Sequence, residues 1–405
     1  MEDWKEYKLG DIGTIVGGAT PSTKDSSNYD GNIAWITPKD LSNLNCRYIS
    51  HGERMISQKG FDDCSCRMLP KNSILFSSRA PIGYVAIAQN ALCTNQGFKS
   101  IIPNNEIVDS LFLYYLLVYY KPVIENMGSG TTFKEVSGSV MKALTVNIPN
   151  IDEQKRIAAI LSSLDDKIEL NRRINGNLEQ QVQALFKAWF VDFEPFKNGK
   201  FVDSEFGRIP EGWNIVEANH FMTISKDSIN PTKNPMCLYT HYSIPAFDEA
   251  LTPEIQFGHK IKSNKFLVRS GMTLFSKLNP RIKRIWFINE ASDNSICSTE
   301  FIPYESLGQN CYFLYCYLNS NMFYSQAMSL VNGATGSHQR FSPNETLKFL
   351  FAYKKEIVEE FNVLVAPTLK EMSELSLETR KIAKLRDTLL PRLMSGELNI
   401  NTITE

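Results

Sequence analysis

Two stretches of this chain decide its fold: "DEQKRIAAILSSLDDKIELNRRINGNLEQQVQALFKAWFVDF" (Asp152–Phe193) and "VEEFNVLVAPTLKEMSELSLETRKIAKLRDTLLPRL" (Val358–Leu393). In the first, a seam steps four and three residues at a time through Ile157, Leu161, Leu164, Ile168, Asn171, Asn175, Leu178, Val182, Leu185 and Trp189. In the second it runs through Val358, Phe361, Val365, Thr368, Met372, Leu375, Thr379, Ile382, Arg386, Leu389 and Leu393. Eight of the ten positions in the first and eight of the eleven in the second are apolar, which is a coiled-coil stripe. Asn171 and Asn175 fall mid-seam, where a buried amide fixes register and orientation at some expense in stability. Asp152 is positioned to cap the first helix, with Glu153 complementing its dipole. Pro367 should kink the second helix, and Pro391 should end or bend it near Leu393.

Working outward, each helix follows a globular stretch. Residues 1–150 alternate short β-rich runs with turn signals such as Gly17-Gly18, Asp30-Gly31 and Pro70-Lys71-Asn72, and include one helical segment, Ser110 to Glu125. Residues 151–193 are the first long helix and 194–212 read as a linker carrying Pro195, Gly199, Gly207, Pro210 and Gly212. A second globular stretch covers 213–353, and a second long helix 354–396. The order is a repeat. Trp213-Asn214-Ile215 opens the second head as Trp4 to Tyr7 opens the first, and Ile296-Cys297-Ser298 answers Leu92-Cys93-Thr94. Gly333, Phe341 and Ser342 answer Gly128, Val136 and Ser137 at an offset of 205. The expected class is α+β: two mixed heads joined by two long helices in an antiparallel coiled coil, with a pseudo-twofold internal repeat. Antiparallel helices would set the heads at opposite ends and bring Met1 near the end of the second helix. Low identity between the halves implies a shared fold and different surfaces.

A length of 405 residues and 43% hydrophobic content suit two or three ordinary domains. Eight cysteines without a regular framework and no signal-like start imply a reduced, cytoplasmic setting, and the apolar run Leu111–Tyr120 is too short to span a bilayer. The net charge is −1, but its distribution is uneven. From Cys64 to Asn105 there is no acid, while Arg67, Lys71, Arg79 and Lys99 fall inside. From His259 to Arg284 there is again none, and Lys260, Lys262, Lys265, Arg269, Lys277, Arg281, Lys283 and Arg284 crowd together. A solvated basic surface explains either run alone; recurrence in both halves points to a phosphate backbone.

Catalytic constellations are missing. The only Gly-Lys pair, Gly199-Lys200, is followed by Phe, and GxGxxG and HExxH do not occur. The three Asn-Pro pairs continue as Thr232, Met236 and Arg281, not the Pro-aromatic of amino-methyltransferases, and no Pro-Asp starts a nuclease motif. Cys64-Ser65-Cys66 has the wrong spacing for a zinc knuckle, so the two read as ordinary thiols and no metal site is expected. The chain reads as one that binds and positions.

"GGATPSTKDSSNYDGNIAWITPKDLSN" (Gly17–Asn43) and "SSRAPIGYVAIAQNALCTNQGFKSIIP" (Ser77–Pro103) resemble a target recognition domain in specificity subunits of type I restriction-modification systems. "IPNIDEQKRIAAILSSLDDKIELNRRIN" (Ile148–Asn175), followed by "LFKAWFVDFEPF" and "GRIPEGW", resembles that family's central conserved region. "LRDTLLPRLMSGEL" (Leu385–Leu398) resembles its distal one, and the second head matches less well, with "INPTKNP" and "ICSTEF" in place of the TPS and NQGF pieces. The resemblance implies a non-enzymatic, cytoplasmic DNA-reading subunit in which each head recognises half of a bipartite site on double-stranded DNA and the helices set the spacer. It also implies two methylation subunits and restriction/translocase subunits as partners, with S-adenosylmethionine, ATP and Mg bound by them and not by this chain.

Phosphate contacts are expected from Arg79 and Lys99 in the first head and Lys277, Arg281, Lys283 and Arg284 in the second. Base contacts are expected from the Gly-rich loops bearing Ser129 and Thr131, and Ser337, His338, Gln339 and Arg340, and from the loop bearing Thr20, Ser22 and Lys24. The alternative for these loops is a plain hairpin tip. Helix pairing and partner docking should rest on Ile157, Leu161, Leu164, Ile168, Leu178, Leu185, Met372, Leu375, Ile382 and Leu389. Trp189, Phe190 and Phe193 form either a docking patch or seam and linker packing, and packing is preferred. The competing classes are a stand-alone methyltransferase or nuclease, disfavoured by the missing motifs, and a coiled-coil adaptor that binds only proteins.

Overall fold

The computed structural model describes residues 4–42, 44–129, 134–205, 207–331 and 339–398. The chain divides into two units, Met1–Asn171 with Lys381–Glu405, and Arg172–Arg380. Both long helices, Ile151–Phe190 and Lys355–Met394, are continuous and contribute a segment to each unit.

The first unit opens with a strand, Lys5–Lys8, that pairs antiparallel with Thr145–Ile148, Lys5 opposite Ile148. That last strand feeds directly into the first long helix. Between them lies a five-stranded sheet in the order Gly13–Gly17, Lys99–Pro103, Ile74–Ser78, Ile82–Ala88, Tyr48–Ile49. Ile74–Ser78 is buried along its whole length, as a central strand covered on both faces must be. Against the sheet packs the helix Ser110–Met127, capped by Asp109, whose carboxylate accepts from the Leu111 and Phe112 amides at 3.0 and 2.9 Å. It buries Phe112, Leu113, Tyr115, Leu116 and Leu117, each worth about 2 kcal/mol of transfer free energy.

The second unit repeats the plan. Asn214–Glu217 pairs antiparallel with Leu350–Tyr353, which feeds the second long helix. The parallel pairing of Trp35 with Cys93 recurs as Tyr242 with Cys297. The head helix is shorter, Cys311–Asn319, and its preceding residue Asn310 makes no side-chain cap. Asn362 of the second long helix supplies the cap instead, its Oδ1 accepting from the Tyr312 and Phe313 amides at 3.0 and 3.1 Å.

Each head is fastened to a long helix by a buried tyrosine. Tyr115 donates to Asp165 Oδ2 at 2.6 Å, and the other oxygen of Asp165 accepts from Arg386 Nη1 at 2.7 Å. Arg47, whose side chain is only 5% exposed, completes the junction with ion pairs to Asp166 and Glu169 and a bond to Ser162 O at 3.3 Å. In the second unit Tyr315 of the head helix donates to Glu179 Oε2 at 2.5 Å, and Asn319 donates to its other oxygen. Within the first unit Asp165 faces Arg386; within the second, Asn175 Nδ2 donates to Met372 O at 3.2 Å and Phe186 meets Phe361 edge-on. The helices are antiparallel in both.

Several expectations need correcting. Asn150, not Asp152, caps the first long helix, its Oδ1 accepting from the Glu153 amide at 3.0 Å; the helix starts at Ile151, which leaves Asp152 inside the first turn. The second long helix continues past Pro367 and ends at Met394, three residues after Pro391 and next to the Leu393 end that was expected. Buried Val365 and Leu369 hold the backbone on either side of Pro367. Residues 194–212 are not a plain linker: they hold a hairpin, Phe201–Ser204 with Gly207–Pro210. Phe193, Phe196 and Ile209 join Trp213 in an aromatic core, with Phe190 buried there and Trp189 packed against it. The seam also slips. Ile157, Leu161, Ile168 and Asn171 are buried, but from Val182 the buried stripe moves to Phe186 and Phe190, leaving Leu185 half-covered, because this segment packs against a head as well as a helix. Leu164, Leu178, Met372, Leu375, Ile382 and Leu389 are half-buried. Met1 lies outside the described residues; Trp4 packs with Leu393 and Met394.

Two outcomes follow from the tyrosine junctions. Asp165→Ala takes the acceptor from the Tyr115 hydroxyl and one of the two acids from Arg386, and a denaturant titration should show a loss of about 2–3 kcal/mol. Burial raises the Glu179 pKa above the usual carboxylate range, so the folded state takes up this proton at a higher pH than the unfolded chain. Lowering the pH through that window should stabilise the wild type relative to Glu179→Gln; a difference independent of pH contradicts this.

Candidate nucleic-acid interface

In the first unit three loops converge at one end of the central strands. The strand Ile74–Ser78 ends in Arg79, and the Ser78 amide donates to Gly97 O at 2.7 Å, drawing in the loop Asn95–Gly97. The loop that follows Gly13–Gly17 lies against it: a Cβ on Gly18 would sit 2.1 Å from Asn95 O, so only glycine permits this approach. Thr20 donates to Gln96 Oε1 across the two loops. Ser129 and Glu135 exchange backbone hydrogen bonds at 3.1 and 3.0 Å, and the Val136 amide donates to Ser78 O at 3.0 Å. Ser129, Glu135 and Val136 are thereby stitched to the strand that precedes Arg79.

The second unit builds the same junction from different residues. Thr273–Ser276 ends in Lys277, whose amide donates to Glu300 O at 3.0 Å, as Ser78 does to Gly97. The Asn279 amide donates to Gln339 O at 3.1 Å, which places Gln339 beside this strand end. Among the described residues, strand ends and the residues that flank 130–133 and 332–338 thus meet in both units.

Charge is distributed differently from the linear pattern. Arg79 and Lys99 both reach Glu135, at 3.5 and 3.1 Å, and the Lys99 side chain is only 17% exposed. Arg340, 47% exposed, holds Glu300 through Nε and Nη2 at 3.0 and 2.9 Å. Arg79 and Lys99, in a run that lacks acids in sequence, meet an acid from elsewhere in the chain.

The expected contact residues divide accordingly. Thr20, Ser22, Lys24, Ser129 and Arg281 are exposed, Lys277 is half-exposed, and Arg79, Lys99 and Arg340 are engaged as above. Gln339 is nearly covered. Thr131, Ser337 and His338 lie outside the described residues. Lys283 turns its ammonium onto Asn319 O at 2.5 Å and over the Tyr324 ring, and burial lowers its pKa. Arg284 is a correction: it is buried and bidentate to Asp248 at 2.6 and 2.7 Å, so it cannot reach a phosphate. The run of basic residues gave no sign of this, because Asp248 lies 36 residues earlier. Gln96, Glu135 and Glu300 were missed; the "NQGF" and "STEF" pieces held two of them, but nothing marked their partners. Among the described residues no three His, Cys, Asp or Glu gather as a metal site, and no helix is long and apolar enough to cross a membrane.

Comparison with known proteins gives the class. Residues 1–180 match the family model described as a type I restriction modification DNA specificity domain. The chain is 34% identical to the type I restriction enzyme MjaIX specificity subunit of Methanocaldococcus jannaschii, covering 99% of this chain and 95% of that one. It is 26% identical to the HindI specificity subunit of Haemophilus influenzae, covering 98% and 100%. The crystal structure of a type I restriction-modification S subunit from M. genitalium superimposes with a TM-score of 0.56 at 15% identity over 96% of each chain, a likeness of fold. The chain therefore belongs to the type I restriction-modification specificity subunits, and recognition of DNA sequence is the function that goes with that membership.

Arg284→Met tests the correction. The expected result is a loss of stability of about 2 kcal/mol, from stranding Asp248 beside a covered site, with the salt dependence of DNA binding unchanged. A salt slope reduced by about one would return Arg284 to the phosphate contacts.

Proposed function

We propose that each unit reads one half of a bipartite, asymmetric site on double-stranded DNA, and that the long helices set the spacer and dock two methylation subunits. Restriction/translocase subunits join that complex. The chain contributes address and scaffold, with no bond chemistry of its own; S-adenosylmethionine, ATP and Mg serve the partners, in the cytoplasm. The observation that carries this reading is the loop junction repeated in both units on one backbone plan with different side chains: Arg79, Gln96 and Glu135 in one, Lys277, Glu300 and Arg340 in the other. Equivalent frames with unlike surfaces are what two readers of different sequences require. Exposed Thr20, Ser22, Lys24, Ser129 and Arg281 belong to those surfaces. In the same reading Thr131, Ser337 and His338 are base contacts.

The 40-residue helices, about 60 Å long, cover more than one turn of B-DNA at about 34–36 Å. Seven residues inserted into each helix, near Asn175 and Met372, add about two turns or ~10.5 Å. Mapping of methylated adenines in cells that carry the chain with its partner subunits should then show a spacer longer by about three base pairs and unchanged half-sites. Altered half-sites would overturn the ruler. Separately, Arg340→Ala should weaken binding by about 1–3 kcal/mol on one half-site only. An equal loss on random duplex would make Arg340 a phosphate contact.

A further inference from the structure

We propose that Glu135 and Glu300 are specificity-determining residues, which hold the DNA-facing cations of the two units off non-specific phosphate and release them where a base edge offers the freed carboxylate a donor. This rests on the reading of the loop junctions as DNA-facing. Three observations carry it. First, each acid holds a cation at the equivalent loop junction: Glu135 takes Arg79 and Lys99, and Glu300 takes the guanidinium of Arg340 in a two-point bond. Second, the polarity of the pair is inverted. Arg340 stands at the repeat position of Glu135, at the same offset of 205 that relates Phe341 to Val136. In one unit the acid is on the loop stem and the cations on the strands; in the other the cation is on the stem. The pairing recurs although the residues have exchanged places, so a simple basic patch is not what the two surfaces share. Third, these pairs are partly exposed: Glu135 is 38% and Glu300 27% accessible. An exposed ion pair is worth about 0–1 kcal/mol, so a phosphate or guanine edge can exchange for the carboxylate.

The exchange discriminates because it has two sides. When the cation moves to DNA, a carboxylate is left facing a polyanion. On random duplex that repulsion is uncompensated and binding is weak. On a site that presents an amino donor, such as cytosine N4, the carboxylate accepts from it while the arginine takes phosphate or guanine. Both hydrogen-bonding groups are then satisfied, and only a base that places an amino donor at that point does this. A neutral amide in place of the acid frees the cation without the penalty, so affinity for wrong DNA rises.

The test is binding of the full-length chain to a random-sequence duplex by fluorescence anisotropy, at several salt concentrations. Glu300→Gln and Glu135→Gln should each tighten this binding about 3- to 10-fold and steepen the salt slope by about one, as one further phosphate is neutralised. In an Arg340→Gln background, Glu300→Gln should give no gain. Unchanged affinity in both single variants overturns the proposal, and so does a gain that persists without Arg340, which would be a long-range charge effect. Should Glu300→Gln fail to fold, Glu135→Gln in the other unit decides alone. If the wild-type chain does not bind duplex DNA even at low salt, the DNA-facing reading of the loops itself fails, whatever the variants do.

Discussion

The hydrogen bond between a head tyrosine and a carboxylate on the first long helix is the constraint on which the rest of the structure depends. Tyr115 on Asp165 and Tyr315 on Glu179 are both covered, and a covered carboxylate is tolerable only if its lone pairs are filled. That demand selects one orientation of each head against its helix. Apolar packing alone would allow several neighbouring ones, since it is non-directional. For a reader of DNA the orientation matters as much as the loops, because a base-edge contact works only within tenths of an ångström and a few tens of degrees. Arg47 and Arg386 reinforce the first junction, while Asn319 and the cap supplied by Asn362 reinforce the second.

The surfaces proposed to face DNA follow the opposite logic. Their arginine pairs, Arg79 with Glu135 and Arg340 with Glu300, are partly exposed and therefore weak enough to exchange partners. A chain of this kind needs rigid charge pairs where the heads meet the helices and labile ones where the loops meet the ligand.

How much of this was legible in the sequence depends on the range of the interaction. The long helices and the α+β plan of two heads on a repeat were readable, because the 3–4 spacing and the paired motifs are local patterns along the chain. The slip of the seam at Val182 was not, since a head takes over the packing and shifts the stripe by one position. Hairpin Phe201–Pro210 hid behind glycines and prolines that read as a linker. At the interface, the basic residues were visible and their partners were not. Arg284 and Lys99 looked free because Asp248 and Glu135 are 36 residues away from each in sequence. Tyr115 and Tyr315 read only as apolar helix positions, with nothing to announce Asp165 or Glu179.

The central claim is that one chain carries two separate readers held at a fixed interval. Selection of bound fragments from a fully randomised duplex library by the full-length chain, together with its methylation subunits, tests it most directly. The account predicts enrichment of two short, unrelated sequence blocks separated by an unread gap of constant length. A single contiguous site, or two blocks at freely varying distance, would contradict it.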